Sequence, residues 1–119
     1  MSYPWLPLLF ESMRWNGPLV EFVIINVIKE GSNDAEEIIR LKESHAVINL
    51  HIVVLTIAEF SKLVHEKLGI TVNMAPDWYY KLCDFKPVLA YLFPEYASED
   101  KFKYWGYGDN DVIWGNFSR

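Results

Sequence analysis

Cysteine is nearly absent from this chain, as are long hydrophobic runs and blocks of basic charge. Cys83 stands alone, which excludes a disulfide framework and a zinc site built on thiolates. The longest apolar runs, residues 22–28 and 52–57, are far too short to cross a bilayer. Met1 leads straight into Ser-Tyr-Pro-Trp with no basic region, so no secretory signal is expected. No cluster of lysine and arginine offsets the net charge of −5, which argues against a nucleic-acid partner. Internal repeats and low-complexity segments are missing too. A reducing, cytoplasmic setting without a transmembrane segment is the expectation.

Aromatic and apolar side chains, by contrast, are plentiful. They make up 16% and 51% of 119 residues, enough for the core of one domain, residues 1–119. Five Trp and seven Tyr exceed what such a core needs, so some are expected to line a site. Leu6, Leu9, Phe10 and Met13 recur at helical spacing, and Asn16-Gly17-Pro18 is expected to stop that helix with glycine end chemistry. Residues 20–28 and 48–55 are β-branched runs that read as buried parallel strands, with a short helix over 35–44 between them. Thr56 and Glu59 spell a capping box for a helix that ends at Gly69. A helical turn is expected over 79–83, then a helix over 84–93 with Asp84 as its cap. Residues 102–108 read as a last strand. Strands alternating with helices point to an α/β fold with a mostly parallel sheet covered by helices.

The stretch 103–115 (KYWGYGDNDVIWG) carries the most chemistry. In an extended strand, residues i and i+2 face the same way, so Asp109 and Asp111 can converge where the strand ends. Two carboxylates held together repel unless a proton or cation lies between them. Mn²⁺ or Mg²⁺, itself holding a diphosphate, resolves the conflict. The flanking glycines leave room for a bulky ligand near the backbone.

Three blocks, residues 5–16 (WLPLLFESMRWN), 80–87 (YKLCDFKP) and 104–116 (YWGYGDNDVIWGN), resemble a largely uncharacterised bacterial family of glycosyltransferase-like proteins. That family looks like the GT-A group with a DxD motif. The likeness runs over nearly the whole chain. It implies a Rossmann-like sheet, a nucleotide-sugar donor and a divalent ion, usually manganese. By that likeness Asp109 and Asp111 hold the metal and contact the donor, while Lys81, Asp84 and Lys86 lie beside it. The chain departs from the family pattern in starting near the helix at Pro4 without the family's first strand. It also stops at Arg119, before the acceptor-binding half, and carries Asn26-Val-Ile-Lys29 where many relatives show Thr-Asp-Asp. The expectation is thus a partial Rossmann-like domain, the nucleotide-sugar-binding half of a transferase. It would be inactive alone and prone to self-association through exposed strands.

Each candidate also has a plain reading. Asp84 can be a helix cap, and Lys81 and Lys86 can be solvated helix lysines. Tyr107, Trp105 and Trp114 read as core aromatics of a buried strand, and of the three Trp114 is the first candidate to face a ligand. Cys83 reads as a small core residue. His45, His51 and His65 show no metal spacing and no carboxylate partner, with His51 a structural group inside a strand. A phosphatase reading of Asp-x-Asp fails, because the motif does not follow a first strand and Ile113 stands where Thr or Val belongs. The rivals are a nucleotidyltransferase with paired carboxylates and a non-catalytic remnant that binds a nucleotide or a protein. The donor sugar, acceptor and catalytic base are not legible.

Overall fold

The computed structural model describes residues 4–72, 81–109 and 112–117. It is a mixed α/β chain that divides into two compact units, residues 1–54 with 108–119, and residues 55–107. In the first unit, helix α1 (Leu6–Trp15) buries Leu6, Leu9, Phe10 and Met13, the stripe expected from their spacing. Strand β1 (Phe22–Ile28), helix α2 (Glu36–Ser44) and strand β2 (Leu50–Thr56) follow. The two strands pair side by side in a parallel sheet, joined through α2. Val47 and Leu50 complete the core with α1, and Phe22, Ile24, Ile38, Leu41, Ile52 and Trp114 pack on its rim.

Helix α1 does not stop as its sequence suggests. Gly17 keeps an ordinary φ, since the positive-φ glycines among the described residues are Gly31 and Gly69. Asn16 ends the helix instead. Its backbone N–H turns back to Met13, its carbonyl accepts from Leu19 and Val20, and its buried side chain donates to the Ser12 carbonyl at 3.0 Å. Asn49 then ties helix to strand, donating to the carbonyls of Met13 (2.8 Å) and Val20 (3.0 Å).

In the second unit, helix α3 (Ile57–Leu68) starts and ends as its sequence suggests. Thr56 accepts from the Glu59 N–H, the Glu59 side chain accepts from the Thr56 N–H, and Gly69 closes the helix at φ 70. Its buried Phe60 meets Phe85 edge-on, ring centroids 5.3 Å apart. Phe85 belongs to a 3₁₀ helix, Leu82–Val88, which runs into a single α-turn, Leu89–Leu92. Asp84 therefore caps nothing. It lies inside the first 3₁₀ turn, and the residue at the cap position, Lys81, makes no side-chain cap bond. Pro87 explains the tighter winding, for it removes one backbone donor from the run. Of the turn expected over 79–83, residues 79 and 80 lie outside the described residues.

The last expected strand is not one. Residues 102–109 make no ladder pairing, and the sheet of the described residues has two strands. The segment has strand-like composition, but its Tyr104, Trp105 and Tyr107 are exposed rather than packed on a sheet. No helix among the described residues is long and apolar enough to cross a membrane.

Candidate functional site

Asp109 lies on the surface, and the described residues on either side of it, 108 and 114–117, are each fixed. At the near end, a Cβ on Gly108 would come within 2.8 Å of the Trp114 ring, so the indole lies directly on the Gly108 backbone. That ring is held between Phe22 and Phe117, at centroid distances of 5.7 and 5.9 Å. At the far end, Ser12 accepts from the Trp114 N–H at 3.1 Å. Asn16 donates to the Gly115 carbonyl at 2.9 Å and accepts from the Phe117 N–H at 3.0 Å. The Asn16 amide thus brackets residue 116 as a peptide of a neighbouring strand would. Helix α1 supplies the clamp, and the segment after the Asp-x-Asp is what it grips.

Two expectations change here. The gap at Gly108 is filled by the chain's own tryptophan, not left for a ligand, while Gly106 and Gly115 face open space. The core reading holds for Trp114 alone of the three aromatics, and the ligand-facing one does not. Trp114 packs on the core of the first unit, whereas Trp105 and Tyr107 are exposed, their rings tilted against each other at 6.2 Å. Asp111 lies outside the described residues, so the structure does not address its pairing with Asp109. Among the described residues no three His, Cys, Asp or Glu side chains group as a metal site.

The 3₁₀ helix of the second unit carries the other candidates. Three residues per turn put Lys81 and Asp84 in one row, with Lys86 off it. Lys81 and Lys86 are half-buried, each with an interaction of its own, and Asp84 is exposed. Cys83 is exposed too, not a core residue.

Two of the histidines, His45 and His51, have carboxylate partners that spacing did not reveal. His45 Nδ1 lies 2.7 Å from Glu11 Oε1, and Arg14 holds the other oxygen of Glu11 at 2.8 Å. The bonds from Arg14 and then His45 hold the Glu11 carboxyl below its usual range. His51 meets Glu21 at 2.9 Å on the surface, a structural pairing as expected of it. These pairs join residues 30 or more positions apart, so only the fold brings them together.

A profile of a family of unknown function, DUF6625, matches residues 33–119, most of the chain. The chain belongs to DUF6625. The DUF6625 match takes in α2, β2, α3, the 3₁₀ helix with Lys81, Asp84 and Lys86, and the Asp109–Asp111 segment. No curated protein and no solved structure matches the chain.

Proposed function

We propose that this chain is the nucleotide-sugar-binding part of a metal-dependent glycosyltransferase of GT-A type, built on a Rossmann-like sheet. The observation that carries the reading is the exposed Asp109, next to Gly108, whose backbone the Trp114 ring pins. A loop on a rigid support is a common way to present a binding carboxylate. The parallel β1–α2–β2 arrangement and the three blocks that resemble such transferases support it further.

The donor set suits the ion, because carboxylate oxygens are hard ligands of the kind Mn²⁺ and Mg²⁺ prefer. Asp109 and Asp111 would hold it, and the diphosphate would supply the remaining oxygens. When bound, the ion would offset the charge that develops on the departing nucleoside diphosphate. Lys86 would face the phosphates as a point charge, with Asp84 and Lys81 on the donor side. The sugar would pass to an acceptor hydroxyl.

Titration of the chain with uridine diphosphate, with and without Mn²⁺, tests this. Binding should strengthen at least about tenfold with Mn²⁺, a gain of about 1.4 kcal/mol, and Asp109→Ala or Asp111→Ala should remove that gain. Equal affinity with and without the ion would sink the reading.

A further inference from the structure

The second unit holds a groove of about 320 Å³ lined by Ala90, Tyr91, Ala97, Glu99, Phe102, Lys103, Tyr104 and Trp105. That volume is at the small end of the range for ligand sites, about 300–1,000 Å³. It suits a molecule of one or two rings.

Local structure shapes its walls. Ser98 makes a tight turn, its carbonyl accepting from the N–H groups of Lys101 (3.1 Å) and Phe102 (2.9 Å), which brings Glu99 and Lys103 to the same groove. Tyr91 is anchored by a bond from its hydroxyl to the Lys67 carbonyl at 3.3 Å. Lys103 reaches over the Tyr104 ring, its ammonium 5.7 Å from the centroid. Tyr91, Tyr104 and Trp105 remain 60%, 82% and 48% exposed. Exposed aromatic rings grouped on one surface and rimmed by polar side chains are a feature of binding sites, where Tyr and Trp are enriched. Rigid Tyr and Trp rings also lose little conformational entropy on binding.

We propose that this groove binds a neutral hexopyranose, a sugar ring or the end of a glycan. The flat C–H face of a pyranose is apolar and fits an aromatic ring, while its rim carries hydroxyls. The Glu99 carboxylate accepts from those hydroxyls, and Lys103 donates to them. The charge pattern favours a neutral ligand over a phosphate. Glu99 and Lys103 both line the groove, and Asp100 and Lys101 lie between them, so two carboxylates and two ammonium groups balance there. A site with no net charge gives neither an anion nor a cation an advantage over a neutral ligand. The groove's role as a saccharide site does not depend on Mn²⁺ or nucleotide.

The test is an NMR titration of the full chain, following the Trp105 indole N–H, assigned by its loss in Trp105→Phe. The probes are methyl glucoside, methyl galactoside, methyl mannoside and methyl N-acetylglucosaminide, with uridine diphosphate as the anionic control. The expected result is saturable shifts with at least one glycoside, at a Kd on the order of 1 mM. Trp105→Ala, followed at the Lys103 and Tyr104 backbone amides, should weaken binding at least about tenfold and Glu99→Gln several-fold, while Trp15→Ala, in the other unit, changes nothing. Trp105 is half exposed, so its removal leaves the fold intact, and the Glu99→Gln arm covers the case where it does not. No shift with any glycoside overturns the proposal. So does glycoside binding unchanged in Trp105→Ala, or a Trp105 response to uridine diphosphate alone. Failure here leaves the Mn²⁺-dependent nucleotide titration untouched, and the reverse also holds.

Discussion

At the scale of single residues, Asn16 does most to define the first unit. One side chain closes α1, donates to Ser12 and holds both sides of residue 116. Asn16→Ala should cost about 1–3 kcal/mol in a urea melt, the range for stranding buried polar partners, and should raise hydrogen exchange at the Phe117 amide. A melt unchanged within error would show that water replaces the amide without loss. Glu11 gives a second prediction. Arg14 and His45 lower its folded pKa, so the link between α1 and α2 is complete above the unfolded value of 4.5. It is lost as pH falls through the lower folded value. Stability measured against pH should therefore decline in acid, and Glu11→Gln should flatten that decline. Neither Asn16 nor Glu11 could be chosen from the sequence, because the partners that set them apart, His45, Gly115 and Phe117, lie 34 to 101 positions away. Spacing reports neighbours on one element and is silent about contacts between elements.

At the scale of elements, what could be read was what is written locally. The stripe of α1, the β-branched runs of β1 and β2, and both ends of α3 follow from residues within one or two turns of each other. Thr56→Ala should thus cost about 0.5–2 kcal/mol by calorimetry, the usual loss for an N-cap. The Glu59 carboxyl is held low first by the Thr56 N–H and then by the Thr56 side chain, so it should rise only in part in that variant, which keeps the N–H. Elsewhere local signals misled for physical reasons. Residues 102–108 have the composition of a strand, but strand preference describes a surface to pack against, and here none is paired. Helix α2 ends with no glycine, Ala46 taking φ 52 in its place. Asp84 precedes a helical run, yet the 3₁₀ winding begins two residues ahead of it. The candidate site was legible to the extent that Asp109 is exposed and lies beside glycine. That Trp114 would fill the gap at Gly108 was not, since only the clamp from α1 brings that ring back.

At the scale of the whole molecule, the first unit is interrupted in sequence. Residues 1–54 and 108–119 form it, and residues 55–107 form the other. Its clamp contacts span 99 to 102 positions, and such distant contacts form late because closing the loop costs entropy first. Removing the clamp should then act on unfolding alone. A loss of about 2 kcal/mol from Asn16→Ala should raise the unfolding rate roughly thirtyfold and leave refolding unchanged in stopped-flow measurements. Slower refolding would instead put the clamp in the folding nucleus. During synthesis the order is stricter still. Residues 1–54 leave the ribosome before the tail that completes their core exists, and the intervening segment 55–107 must be made first. At about 5–20 residues per second, that is a wait of roughly 3–10 s, with Ser12 and Asn16 still without their partners.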